Sequence, residues 1–127
     1  MPLLLLVDYL TVLLYNYIVE KEEDLMILNA KITHAEIMIE DHGCLTFCIQ
    51  IDSSEGWSTG IGMFDLNGCQ NIDILIRDIL KTVGITRWSD LTGKYIRIDD
   101  NNNRNSTITK IGNILTDNWI DLRSYFL

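Results

Sequence analysis

The chain has 127 residues, of which 47% are hydrophobic and 22% charged, with a net charge of −8 and a pI near 4.5. This length suits one globular domain with a modest core, and the composition excludes a disordered chain. The acidity argues against a protein that grips phosphate backbones through a broad basic surface. Three cysteines without a basic, cleavable leader are typical of reduced thiols in a cytoplasm.

Residues 3–19 form an almost unbroken apolar run. It is shorter than the roughly 20 residues that span a bilayer, and it contains Asp8 and Asn16, so we expect no membrane contact. Two alternatives remain for residues 1–25. They form a segment packed on the domain or on a second copy in a homo-oligomer, or they precede a natural start at Met26, because the Glu20–Met26 codons can spell a ribosome-binding sequence. Residues 26–127 are expected to form a single α+β domain.

Lys31–Asp52 predicts a β-hairpin with one apolar face. The apolar positions of the second strand are Leu45, Phe47, Ile49 and Ile51, and the opposite face carries Cys44, Thr46, Cys48, Gln50 and Asp52. Gly43 supplies the positive φ that the Glu40–Gly43 turn requires. The parity of apolar residues changes between Ile32 and Ile37, which predicts a bulge near His34 and Ala35.

Residues 57–64 predict a third strand that contains Gly60 and Gly62. Glycine weakens a strand unless another backbone or a ligand comes close. Trp57, Gly60 and Gly62 are therefore our candidates for a ligand-binding or partner-binding edge. The edge is not a phosphate-binding loop, because no Gly-Lys-Ser/Thr sequence follows it.

The clearest helix follows, with an apolar stripe at i, i+3, i+4, i+7, i+8 and i+11. The stripe consists of Ile72, Leu75, Ile76, Ile79, Leu80 and Val83. Asn71 is the expected N-cap, and Gly84 the expected left-handed stop.

Downstream of the helix we predict one helical turn at residues 87–93 and strands at 94–99 and 107–115. A polar loop tip at 100–106 separates these strands, and an apolar tail, strand or short helix, is pinned by Trp119. The fold class is α+β: a bent antiparallel sheet of about five strands, open or barrel-like, on one principal amphipathic helix.

No catalytic motif is present, so we expect neither an enzyme nor a cofactor. His42, Cys44 and Cys48 share a strand face, but their spacing lacks a nearby fourth ligand, and we expect no metal site. His34 and the acids beside it lack an accompanying nucleophile. A basic and aromatic set could bind single-stranded nucleic acid, although the acidity of the whole chain predicts no direct nucleic-acid binding. That set is Arg87, Trp88, Lys94, Tyr95, Arg97, Arg104 and Lys110.

The negative charge is concentrated in the hairpin half. Residues 26–76 hold seven acids and one base, whereas residues 77–127 hold six acids and eight bases. An acidic face of this kind selects a basic partner and speeds its encounter. The partner-binding candidates are Glu36, Glu40, Asp41, Asp52 and Glu55.

Four segments in this order resemble a family of small, uncharacterised phage and prophage proteins. They are the Glu40–Gly43 turn (EDHG), the glycine-rich strand at 56–62, a helix ending in Val83-Gly84, and the segment WSDLTGKYIR at 88–97. The resemblance extends from about Met26 to Asp121. It implies a place in the cytoplasm of a host bacterium and supplies no active site.

In that context we expect a stoichiometric inhibitor of bacterial immunity, of the anti-CRISPR kind. Its acidic face would bind a host effector that handles nucleic acid. The alternatives are a sponge for a nucleotide signal at the glycine-rich edge, and an accessory protein of phage DNA replication that uses the basic strands.

Overall fold

The six β-strands that the structure describes belong to one antiparallel sheet. The computed structural model describes residues 9–14, 27–100 and 108–126, and of residues 63 and 64 it describes the backbone. The strands are β1 (Ile27–Ile39), β2 (Leu45–Ser53), β3 (Ser58–Asp65), β4 (Tyr95–Asp99), β5 (Lys110–Asn113) and β6 (Trp119–Asp121). They lie in the order β3-β2-β1-β4-β5-β6. The edge strands β3 and β6 do not pair with each other, so the described sheet is open rather than barrel-like and has six strands rather than five.

The described residues include two α-helices, α1 at residues 9–14 and α2 at Ile72–Val83. The α+β class is thereby confirmed. All six residues of α1 are exposed. Within the described ranges no helix has the length and apolar character needed to cross a membrane. The alternatives for the rest of residues 1–25, and the polar tip at 101–106, lie outside the described residues.

The β1–β2 hairpin is the longest pairing in the sheet, and it runs from Ala30 opposite Ser53 to Ile39 opposite Leu45. Its register shifts between Ile32 and His34, which confirms the predicted bulge next to His34. Gly43 has a φ of +83°, as the tight turn requires. The bulge matters because it keeps apolar side chains on the same face along a strand of 13 residues.

The core lies on one face of the sheet, where the sheet meets α2 and a 3-10 turn at Trp88–Asp90. Burying each large aliphatic side chain stabilises the fold by about 1.5–3 kcal/mol. The large side chains with less than 2% exposure are Ile32, Phe47, Ile49, Ile51, Ile61, Leu66, Leu75, Ile79, Leu91, Ile96, Ile98 and Ile111. Strands β1 to β5, α2 and the loops therefore share one continuous core.

The predicted end of α2 is confirmed, and its predicted start is only partly correct. Gly84 has a φ of +89°, and its N–H donates to the Leu80 carbonyl at 2.9 Å. Asn71 precedes the helix, but its side chain makes no capping hydrogen bond. The buried face of α2 also differs from the predicted apolar stripe at both ends. Ile72, which belongs to the predicted stripe, is 39% exposed, whereas Thr82, which does not belong to it, is 5% exposed.

The last turn of α2 is seated on β5, which explains the burial of Thr82. The Asn113 side-chain amide of β5 donates to the Thr82 carbonyl at 2.9 Å. The chain then ends in β6 and a 3-10 turn at Leu122–Tyr125. The Tyr125 hydroxyl donates to the Asp78 carboxylate of α2 and ties this turn to the helix. The predicted tail is therefore a strand followed by a helical turn, and Trp119 pins it by lying against Gly112.

Ile79→Ala should lower the free energy of unfolding by about 2–5 kcal/mol, because it opens a cavity at a fully buried position. Ile74→Ala is the matched control in the same helix, since Ile74 is 45% exposed, and we expect it to cost less than about 1 kcal/mol. Urea denaturation of both variants measures the difference. Equal losses would show that the buried face of α2 is assigned incorrectly.

Tyr125→Phe should change how stability depends on alkaline pH. Burial, followed by the hydrogen bond to Asp78, raises the pKa of Tyr125 to about 12. In the unfolded chain a tyrosine ionises near pH 10. The stabilisation from the neutral phenol is therefore complete below about pH 10 and is lost as the pH rises towards 12. Urea midpoints measured between pH 8 and 11.5 should fall less in the variant than in the wild type. An identical alkaline decline would contradict this role of Tyr125.

Candidate functional site

The five predicted acids lie along one part of the sheet but do not form one cluster. Strand alternation puts Glu36 of β1 and Asp52 of β2 on the side of β1–β3 opposite the core, which we call the outer face. Glu40 and Asp41 belong to the β1–β2 turn, and Glu55 to the β2–β3 turn. At about 3.4 Å per residue, the length of β2 separates these two ends by roughly 27 Å. The outer face is thus a long acidic strip.

The carboxylate of Glu40 is an integral part of the turn that follows it. Its Oε1 accepts hydrogen bonds from the backbone N–H groups of His42 at 2.8 Å and Cys44 at 3.2 Å. Its Oε2 accepts from Nδ1 of His42 at 2.7 Å. The bond from the His42 side chain, with further help from the two backbone N–H groups, lowers the pKa of Glu40. Glu40 therefore remains ionised in neutral solution.

Asp65 at the end of β3 is a sixth acid of this surface, and the sequence analysis did not include it. The register places Asp65 opposite Thr46 of β2, which brings it next to the Glu40 turn. Three effects raise the pKa of the Cys44 thiol. The largest is the negative charge of Asp65, followed by burial and by the negative charge of Glu40. A cavity of about 280 Å³ opens here. Its lining is Met38, Glu40, His42, Cys44, Thr46 and Asp65.

The polar face of β2 is more buried than its alternating sequence indicates. Thr46 is 5% and Cys48 6% exposed, although both lie on the outer face. The reason is that β2 lies between β1 and β3 in the sheet, so that both positions are flanked by neighbouring strands. Burial, followed by the charge of Glu36, raises the pKa of Cys48.

The thiols of the outer face are protonated at neutral pH, because the charge of Asp65 raises the pKa of Cys44 and burial raises the pKa of Cys48. A metal ion would have to displace these protons. Across residues 27–100 and 108–126, no group of three or more His, Cys, Asp or Glu side chains is arranged to hold a metal ion.

The glycine-rich edge has a packing explanation at Gly62. Its φ is +90°, and a Cβ at this position would lie 2.5 Å from Cε2 of the buried Phe47 ring. A register shift between the Cys48–Gly62 and Thr46–Asp65 pairs marks a bulge. Trp57 packs against the core. Gly62 and Trp57 therefore have structural roles, since Gly62 leaves space for Phe47 and Trp57 packs against the core.

Gly60 lines a separate open cavity of about 400 Å³ with Thr33, Asp52 and Ser58. The Ser58 hydroxyl donates to Asp52 at 2.6 Å. A nucleotide phosphate is favoured by cations or by convergent N–H groups. The lining of this cavity contains the Asp52 carboxylate and, among the described residues, no lysine or arginine. Its charge therefore disfavours a nucleotide signal.

Two of the candidate basic residues, Arg97 and Arg87, make contacts within the fold, whereas Lys94 and Lys110 are exposed. Arg97 donates from Nε to the Asn113 carbonyl at 2.8 Å, and its guanidinium lies 5.1 Å from the centre of the Trp119 ring. Arg87 forms an ion pair with Asp90 at 3.1 Å. Arg104 lies outside the described residues. These contacts disfavour an open basic strip for nucleic acid.

Comparison of the chain with protein-family models, curated proteins and solved structures gives no match. The charge and geometry of the outer face are therefore the basis for inferring a function. Between Lys31 and Arg77 the sequence has seven acids and no lysine or arginine. This stretch forms most of the β1–β2–β3 sheet, so the acids of the outer face have no cation of their own beyond Lys31.

Gly62→Ala should destabilise the protein by more than Gly56→Ala. Both glycines have a φ near +90°, but a Cβ at Gly56 has nothing within 4 Å. The shared left-handed conformation costs about 1–2 kcal/mol in each variant. Crowding against Phe47 should add about 1–3 kcal/mol in Gly62→Ala alone. Urea denaturation compares them, and equal losses would leave the glycine without a packing role.

Proposed function

We propose that the protein is a phage-encoded stoichiometric inhibitor of bacterial immunity, of the anti-CRISPR kind. It acts in the cytoplasm of the host bacterium and binds a nucleic-acid-handling immune effector through the acidic outer face. The resemblance of its EDHG turn and WSDLTGKYIR segment to phage and prophage proteins supports the setting. The acidic face supports the choice of a basic target.

The observation that carries the proposal is the one-sided charge of the β1–β3 sheet. Carboxylates of Glu36, Glu40 and Asp65 cluster around the thiols of the outer face. No lysine or arginine occurs between Lys31 and Arg77 to neutralise them. Effectors that bind nucleic acid present lysine and arginine to phosphates. Complementary charge accelerates association with such a surface and suppresses the wrong partners.

The spacing of the acids favours a localised contact over imitation of a whole duplex. Double-stranded DNA carries one charge per about 1.7 Å of its axis. Six carboxylates spread over roughly 27 Å of strand give one charge per about 4–5 Å. These acids are Glu36, Glu40, Asp41, Asp52, Glu55 and Asp65. A strip of this density can engage a few basic residues of an effector and block access to them.

Reversing two outer-face acids should weaken effector binding while the fold survives. The variant is Glu36→Lys with Asp41→Lys, which leaves Glu40 in place because its carboxylate holds the turn. Each reversal exchanges an attraction of about 0.5 kcal/mol for a similar repulsion, so the pair should cost about 2 kcal/mol, roughly 30-fold in Kd. The binding protein is first recovered from host lysate, identified and purified, and then titrated.

The matched control is Asp73→Lys with Asp117→Lys, which has the same net charge. Both side chains are exposed, 70% and 102% respectively, and lie off the outer face. Binding of the wild type and the control should weaken as salt rises, since exposed charges are screened beyond about 8–10 Å. Loss of binding in both double variants, or in neither, would contradict an interface at the outer face. Inhibition of the purified effector should reach its end point at one inhibitor per effector.

A further inference from the structure

We propose that the cavity beside the Glu40–Gly43 turn receives the guanidinium group of an arginine side chain from a protein partner. This inference rests on the proposed function and names the group that the acidic face would hold. The cavity measures about 280 Å³, enough for a planar side-chain head and part of its stem. Its charge, its unpartnered hydroxyl and its apolar wall together specify this ligand.

Two carboxylates border the cavity, Glu40 from the β1–β2 turn and Asp65 from the end of β3. Glu40 stays ionised because its own turn donates three hydrogen bonds to it. Asp65 approaches from β3, with its Oδ1 accepting from the Asn67 N–H at 2.9 Å. An ionised oxygen has lone pairs beyond those used in these bonds. Both acids can therefore accept N–H groups from a cation that enters between them.

Thr46 is the independent sign that a ligand belongs here. Its side chain lines the cavity and is 5% exposed, and its Oγ1 has no hydrogen-bond partner among the described residues. A buried hydroxyl without a partner destabilises the protein that carries it. A donor that enters the cavity from outside removes this defect, and neither bordering carboxylate makes a hydrogen bond to the hydroxyl.

The shape and chemistry favour arginine over other cations. A guanidinium is planar, carries five donors and can bond to two acceptors at once, whereas an ammonium acts as a point charge. Met38 lies opposite Thr46 in the register and provides an apolar wall for the methylene stem. The described residues contain no arrangement for a metal ion here, and the Cys44 thiol remains protonated beside the acids.

The direct test is a titration of the full chain with the blocked tripeptide acetyl-Gly-Arg-Gly-amide, followed by amide chemical shifts in ¹H–¹⁵N NMR spectra. Saturable shifts are expected at Cys44, Thr46 and Asp65. The same peptide with citrulline has nearly the same shape without charge, and it should bind at least about tenfold more weakly, since charge-assisted hydrogen bonds are lost. Equal binding of the two peptides would overturn the proposal.

Three variants locate the peptide. Asp65→Asn keeps the oxygen that accepts from Asn67 but removes the charge, and should weaken binding about tenfold or more. Asp73→Asn makes the same change on α2, off the outer face, and should leave binding unchanged. Thr46→Val removes the unpartnered hydroxyl without changing side-chain shape, so it should weaken binding while the melting temperature stays equal or rises. Wild-type affinity in Asp65→Asn would overturn the assignment.

Agmatine separates a protein side chain from a free small molecule. If agmatine binds ten or more times tighter than the arginine peptide, the cavity serves a free amine and the proposal is wrong. The result is also separable from the proposed function. Effector binding that survives Asp65→Asn but not the Glu36 and Asp41 reversal would refute the arginine cavity alone. Arginine binding without any effector contact would refute the inhibitor and leave the cavity standing.

Discussion

The packing of the Phe47 ring is the constraint on which the hairpin half depends. The ring is fully buried, meets Trp88 edge-on with centroids 6.4 Å apart, and occupies the space that a Cβ at Gly62 would need. Gly62 adopts a positive φ, and the β2–β3 register shifts just beyond it. That shift brings Asp65 opposite Thr46. The geometry of the acidic outer face is thus set by an aromatic contact on the other side of the sheet.

The acidic cluster and the stability of the fold oppose each other. Like charges placed close together destabilise a compact state, and the raised pKa of Cys44 reflects the negative field of Asp65 and Glu40. The Glu40–Gly43 turn offsets part of this repulsion, because three donors surround the Glu40 carboxylate. The Thr46 hydroxyl beside these acids has no hydrogen-bond partner among the described residues, which is an unfavourable arrangement for a buried polar group.

The open sheet has two edge strands, β3 and β6, whose outer backbone N–H and C=O groups could pair with strands of other chains. β6 is three residues long, and β3 carries the bulge at Gly62 that interrupts a regular edge. Short strands and bulges both discourage further strand addition. The glycine-rich stretch that attracts attention in the sequence therefore has two structural uses, space for Phe47 and an irregular edge.

The sequence by itself determined the local elements of this protein. Period-two alternation identified the hairpin, a parity change located its bulge, and glycines at 43 and 84 marked a turn and a helix end, because each of these signals acts within a few residues. The distribution of charged residues along the chain also identified its acidic half. The prediction that the Asn71 side chain caps α2 was wrong, because a favourable residue type at the N-cap position does not ensure that the hydrogen bond forms.

Only the tertiary structure decided how the elements meet. The open order of six strands depends on contacts between distant residues, which periodicity does not encode. Thr46 and Cys48 on the polar face of β2 are buried because β1 and β3 flank the strand. The alternating sequence of β2 predicts instead that this face is exposed to solvent. Asp65 belongs to the candidate site because a bulge in β3 shifts the register and places it opposite Thr46. Asp52 and Glu55 lie at the far end of the strip. Spacing along the chain cannot reveal that register, since it follows from the bulk of Phe47 against a glycine 15 residues away.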